Sequence, residues 1–129
     1  MLKLLLIEDD PVFANLVGRI LELNGMDVCH VRDGKIGLQM VRELDPDAIL
    51  VDMNLPDTDG KEIAFQLRKS ARWEHTPIIA LTGHAGDKVK RLAINFGCTD
   101  LISKPINPLT FPEQILKIIE SVPQKRPIS

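Results

Sequence analysis

The chain has 129 residues, close to the commonest size for one domain and long enough for a packed core. With 16 Lys and Arg against 18 Asp and Glu, its net charge is −2, which leaves no general electrostatic footprint for nucleic acid or an anionic membrane. No apolar run approaches the roughly 20 residues that span a bilayer, and the apolar N-terminus meets acids at Glu8, too early for a signal peptide.

Leu4 to Ile7 is a short apolar run and reads as a first strand, stopped by Glu8-Asp9-Asp10-Pro11. Asp10 is placed to cap a helix with Pro11 at its first position. Phe13, Leu16, Val17, Ile20 and Leu21 then recur at helical steps, and Asn24-Gly25 closes the helix. Val28 to Val31 reads as a second strand. Asp33-Gly34 turns into a helix carrying Ile36, Met40, Val41 and Leu44, broken by Asp45-Pro46. Ala48 to Val51 is a third strand that ends on Asp52 and opens into a loop with Asn54, Pro56, Asp57, Asp59 and Gly60. A third helix is expected over Lys61 to Ala71, with Ile63, Ala64 and Leu67 inward, then a loop from Arg72 to Pro77 holding the lone Trp73. Ile78 to Leu81 reads as a fourth strand ending on Thr82-Gly83-His84. A helix with Val89, Leu92, Ala93 and Phe96 follows, capped by Gly97. Thr99 to Ile102 is a weaker fifth strand ending on Ser103-Lys104-Pro105. After a short turn at Pro108, the main last helix starts near Phe111, with Thr110-x-x-Glu113 as a capping box and Ile115, Ile118, Ile119 and Val122 inward. The polar, proline-rich residues 123–129 read as a loose tail beyond a domain of residues 1–122.

Five apolar strands alternating with five amphipathic helices predict an α/β fold, a doubly wound parallel sheet in three layers. Right-handed crossovers leave few strand orders. We take 2-1-3-4-5, an order borrowed from known doubly wound, flavodoxin-like sheets rather than derived.

That order sets the ends of strands one and three side by side. A lone aspartate after a strand is more often a turn residue, but here Glu8, Asp9 and Asp52 would converge. Carboxylates so close share protons or hold a cation. Oxygen donors without a His or Cys cluster favour Mg²⁺ over zinc. Lys104 adds a cation and Thr82 a hydroxyl, making a cradle for a phosphoryl group that a carboxylate can itself accept. Cys29 and Cys98 lie in apolar surroundings without Cys-x-x-Cys spacing and read as buried thiols of a reducing, cytoplasmic compartment.

Four motifs, each following an expected strand, carry a resemblance: Leu5-Leu6-Ile7-Glu8-Asp9-Asp10-Pro11; Asp52-Met53-Asn54-Leu55-Pro56 with Asp59-Gly60; Ala80-Leu81-Thr82-Gly83; and Ser103-Lys104-Pro105. Together they resemble the receiver domain of two-component response regulators, from Lys3 to about Val122. The resemblance implies that Asp52 is the phosphoacceptor. It implies that Asp9, Asp52 and the Asn54 carbonyl ligate Mg²⁺, with Glu8 acting through water. Thr82 and Lys104 would hold phosphoryl oxygens, and Lys104-Pro105 would be a cis peptide. The donor would be the phosphohistidine of a sensor histidine kinase or phosphotransfer protein. The output would pass through the last two helices to a target protein or a second copy, with no direct role for nucleic acid or membrane.

Receivers usually carry an aromatic residue three positions before the lysine; here it is Leu101, which puts a ring-flip readout in doubt. His84 reads either as a tuner of dephosphorylation, together with Asn54, or as a solvated loop histidine. Asp57 and Asp59 read as turn residues, and His30, Trp73 and His75 as packing or loop positions. The competing reading is a pseudo-receiver that binds partners without phosphorylation. An aspartyl hydrolase of haloacid-dehalogenase type would need an acid at position 54, where Asn54 stands. A dinucleotide binder would need Gly-x-Gly-x-x-Gly after the first strand.

Overall fold

The computed structural model of the protein describes residues 1–84 and 86–123. Its strands are β1 (Lys3–Ile7), β2 (Asp27–Val31), β3 (Ala48–Asp52), β4 (Ile78–Thr82) and β5 (Asp100–Ser103). Its helices are α1 (Pro11–Leu23), α2 (Gly34–Leu44), α3 (Gly60–Arg68), α4 (Asp87–Phe96) and α5 (Phe111–Glu120), with one 3-10 turn at Ala71–Trp73. All four strand pairings are parallel, in the order β2-β1-β3-β4-β5.

Side chains alternate across this sheet, and each face has its own core. Leu5, Ile7, Ile49, Val51, Ile78 and Ala80 pack with Val41 of α2, Ile63, Ala64 and Leu67 of α3 and Ala93 of α4. Leu4, Leu6, Leu50, Ile79, Leu81 and Ile102 pack with Ala14, Val17 and Leu21 of α1 and Phe111 and Ile115 of α5. This three-layer α/β arrangement, with its strand order, matches the sequence expectation.

The helix starts explain why chemistry collects at one edge. Asp10 caps α1 by accepting from the Val12 and Phe13 N–H groups, and Pro11 occupies the first helical position. Asp33 caps α2 through the Ile36 N–H at 2.8 Å. Asp59 caps α3 through the Lys61 N–H at 2.9 Å. α1 and α2 thus turn back within two or three residues of their strands, while a seven-residue loop separates β3 from α3.

Several details differ from the sequence reading. α3 ends at Arg68, three residues before Ala71, because Ser70 caps the separate 3-10 turn through the Arg72 N–H. That turn buries Trp73 to 7 % exposure. β5 begins at Asp100, one residue later than expected, though Thr99 still joins β4, its N–H donating to Ile78 O at 2.7 Å and its Oγ1 accepting the Ile78 N–H at 3.0 Å. The Thr110–Glu113 capping box does not form: Thr110 makes no side-chain cap bond, and the Asn107 side chain accepts from the Leu109 N–H one turn earlier. In α1, Leu16 lies largely outside the apolar seam at 46 % exposure. Apart from Pro123, the expected tail of residues 123–129 lies outside the described residues. Among the described residues no helix is long and apolar enough to cross a membrane.

Candidate functional site

The site lies where β1 and β3 emerge side by side. Ile7 pairs with Val51, so the next residues on both strands, Glu8 and Asp52, reach the carboxyl edge together. The parallel ladders run one residue past the strands. The Glu8 N–H donates to Val31 O at 3.0 Å, the Met53 N–H to Leu81 O at 3.0 Å and the Lys104 N–H to Thr82 O at 2.7 Å. These bonds fix the backbone under each side chain of interest. Behind Asp52, the Gly60 N–H bonds Met53 O at 3.1 Å, and Asn54 pairs with Asp59 in a short antiparallel bridge. Gly60 has to be glycine here, since a Cβ would sit 2.5 Å from the Asp52 carbonyl oxygen.

Glu8, Asp9 and Asp52 each offer one carboxylate oxygen, and these three atoms lie within 4.8 Å of one another. Glu8 is 0 % exposed and Asp52 5 % exposed, while Asp9 is half-buried. Both Glu8 oxygens are engaged: Oε1 accepts from Lys104 Nζ at 2.8 Å and Oε2 from the Asp10 N–H at 3.1 Å. Asp52 Oδ1 accepts from the Asn54 N–H at 3.1 Å and stands 3.7 Å from Lys104 Nζ. The Asp9 side chain has no hydrogen bond or ion pair among the described residues. Burial pushes the Glu8 carboxyl up to about 7, and the neighbouring Asp52 adds to the rise against the opposing pull of Lys104 and the Asp10 N–H. One lysine therefore leaves the cluster with uncompensated negative charge. The donor set is all oxygen, so a hard divalent cation fits it. Asp9, open and unbonded, is the natural direct ligand, and Glu8, with both oxygens occupied, is suited to act at one remove.

The remaining sequence-selected residues fall around this cluster. Lys104 reaches it directly, across 96 positions of sequence from Glu8, and the Lys104–Pro105 peptide is cis. Thr82 ends β4 at 2 % exposure, but its hydroxyl accepts the His84 N–H at 3.1 Å and forms no bond with Asp52 or Lys104. Asn54 enters through its backbone, as the donor to Asp52. His84 is exposed at the rim, and Leu101 is half-buried on β5.

Three contributors were not legible as functional. Asp57 is more than a turn residue: Oδ1 and Oδ2 accept the Gly34 and Lys35 N–H groups at 2.9 and 3.0 Å, tying the loop after β3 to the start of α2. Those bonds hold its carboxyl below the usual carboxylate range. The His30 ring donates from Nε2 to the Glu8 carbonyl at 2.7 Å. Phe13 lies under the Lys104 ammonium, with the ring centroid 4.4 Å away. Only the periodicity of α1 could have pointed to Phe13; the partners of Asp57 and His30 are more than 20 residues away in sequence.

Comparison with known proteins follows the same line. The family model for the response regulator receiver domain matches residues 4–118. The chain is 32% identical over 113 residues to the polar-differentiation response regulator DivK of Brucella ovis, covering 88% of this chain and 92% of that one. It is 35% identical over 107 residues to the DNA-binding dual master transcriptional regulator RpaA of Synechocystis, covering 81% of this chain but only 44% of RpaA. Among solved structures, the chemotaxis response regulator CheY4 of Vibrio cholerae superposes with a TM-score of 0.87 at 27% identity, covering 92% of this chain and 98% of CheY4. The receiver domain of a sensor histidine kinase from Pseudomonas aeruginosa, with a magnesium ion coordinated in its active-site cleft, gives 0.83 at 28% identity over 92% and 98%. The buried acid cluster and these matches lead to one statement: the chain belongs to the response regulator receiver domain family of two-component signalling.

Proposed function

We propose that this domain is a phosphoryl-accepting switch and that Asp52 is the acceptor. The observation that carries the reading is the gathering of Glu8, Asp9 and Asp52 within 4.8 Å, with Lys104 Nζ between Glu8 and Asp52. In the reaction, an Asp52 carboxylate oxygen forms the new O–P bond as the N–P bond of a phosphohistidine donor breaks. The imidazole leaves with the electron pair. A Mg²⁺ ion bound by Asp9, Asp52 and the Asn54 carbonyl, and by Glu8 through water, would neutralise charge on the transferring group. Lys104 is already placed beside Asp52 to pair with a phosphoryl oxygen. Thr82 would exchange its bond with His84 for one to another phosphoryl oxygen, which shifts the loop after β4. The carboxylate's single charge becomes about two on the acyl phosphate, with three new acceptor oxygens, and that change on one buried side chain drives the shift.

The phosphodonor is a sensor histidine kinase or phosphotransfer protein, and the changed surface at the last two helices, α4 and α5, is read by a target protein or a second copy. Self-catalysed phosphorylation and dephosphorylation are the domain's only chemistry on this reading. The test is incubation with Mg²⁺ and acetyl phosphate, followed by intact-mass measurement, comparing wild type with Asp52→Asn. One added phosphoryl group in wild type and none in the variant is the expected result. No addition to wild type, or equal addition to both, overturns the reading and leaves a phosphorylation-independent interaction module.

A further inference from the structure

Lys104 meets more than carboxylates. Its ammonium is 2.8 Å from Glu8 Oε1 and 3.7 Å from Asp52 Oδ1, and it also lies 4.4 Å from the centroid of the Phe13 ring. A lysine over an aromatic face is attracted by the ring quadrupole, and more strongly as water is excluded. Water is largely excluded here, since the Lys104 side chain is 24 % exposed.

The ring is itself well held. Phe13 sits in the first turn of α1, where the Asp10 carboxylate accepts its N–H at 3.4 Å and Pro11 sets the preceding backbone. Its side chain packs against the apolar cluster formed by α1, α5 and one face of the sheet. A flexible four-carbon side chain is thereby offered a fixed seat by a rigid group. Phe13 lies outside the four motifs that carry the family resemblance.

We propose that Phe13 is a positioning residue for Lys104. Its ring holds the ammonium at the lip of the acid cluster, so that Lys104 meets an incoming phosphoryl group without first losing side-chain freedom. A free lysine side chain samples many rotamers, and that freedom is the quantity the seat reduces. The inference rests on the reading of Asp52 as phosphoryl acceptor, and it concerns the rate at which Asp52 is charged rather than partner choice.

The experiment measures the rate constant for phosphorylation by acetyl phosphate at saturating Mg²⁺, so that no protein donor needs to dock on α1. Phe13→Leu keeps an apolar side chain and removes the π face. It is expected to slow phosphorylation roughly 3- to 30-fold, equivalent to about 0.6 to 2 kcal/mol at about 1.4 kcal/mol per tenfold. Phe13→Tyr keeps the face and is expected to restore the rate. In a Lys104→Met background, Phe13→Leu is expected to cause no further loss. Without any phosphodonor, the ε-methylene proton resonances of Lys104 should show an upfield ring-current shift that Phe13→Leu abolishes.

A wild-type chain that takes no phosphoryl group overturns the acceptor reading and this proposal with it. A wild-type chain that is phosphorylated, with Phe13→Leu equally fast, overturns this proposal alone. So does a loss that Phe13→Tyr fails to restore, or one that persists without Lys104, since either would mark a packing defect in α1. Absence of the ring-current shift in wild type also overturns it.

Discussion

Gly60 stands directly behind the candidate acceptor, and replacing it by alanine is a sharp test of how tightly that position is built. A Cβ at Gly60 would meet the Asp52 carbonyl oxygen at 2.5 Å and the Met53 Cα at 3.0 Å. Ordinary contact begins at 3.4 Å, so the backbone of β3 or the start of α3 must yield by about 0.9 Å. The obstacle is backbone and cannot rotate away. Overpacking of this kind typically costs about 1–3 kcal/mol. Gly60 is the first residue of α3, where alanine's better interior helix propensity returns little, so a net loss of roughly 1–3 kcal/mol is expected. The same displacement falls on the residue that carries the Asp52 carboxylate. Misplacing a reacting group by about 1 Å can cost on the order of 100-fold in rate. Urea unfolding followed by the fluorescence of buried Trp73, together with the acetyl phosphate assay, reads both effects. Gly83→Ala is the steric control, since a Cβ there meets nothing within 4 Å. Wild-type stability together with a wild-type phosphorylation rate in Gly60→Ala would refute the reasoning.

Three further outcomes follow from the geometry. Because burial raises the Glu8 carboxyl from 4.5 to about 7, its ionisation is disfavoured in the folded state. Its contribution to stability is therefore full below pH 4.5, declines as pH rises to about 7 and is flat above that. Unfolding midpoints measured across this window without divalent ions should show the decline, and Glu8→Gln or added Mg²⁺ should flatten it. Arg68 joins three elements by donating to Gly97 O at 2.9 Å, to Trp73 O and to Thr99 Oγ1 at 3.4 Å. Arg68→Ala should lower stability by roughly 2–4 kcal/mol in urea titration, since it leaves two backbone carbonyls short of a charged donor. Asp57→Ala releases the Gly34 and Lys35 N–H groups and should lower stability by about 1 kcal/mol. Hydrogen exchange at those two amides should rise, and in the wild type the same bonds should weaken only as pH falls below the usual carboxylate range.

Local signals in the sequence were strong where one residue decides the outcome. Asp10 and Pro11 start α1, Gly97 ends α4 with a left-handed backbone, and apolar runs become strands within a residue of their expected limits. The convergence of Glu8, Asp9 and Asp52 was also legible, because strand order plus strand ends places them without knowledge of packing. The misses share one cause. From sequence Ser70 reads as part of the third helix, Thr99 as the start of the fifth strand and Trp73 as a loop residue, until the Ser70 cap, the Ile78 amide and the Arg68 guanidinium give them other partners. Thr110 and Glu113 have the spacing of a capping box, yet Asn107 already governs the turn ahead of them. Phe13 shows the same limit, since periodicity puts it on α1 but only the folded chain puts Lys104 above it.

The 2.7 Å bond from the Lys104 amide to the Thr82 carbonyl has a mechanical consequence. It couples the main chains under the two side chains that would grip a phosphoryl group, so β4 and β5 cannot slide apart while the site is in use. On the proposed reading the grip would close by side-chain rotation about this frame, with larger displacement falling on the segment beginning at Gly83. Such a switch has a fixed jaw spacing and a movable handle, so the strength of its output can change through the handle without altering how firmly the jaws hold.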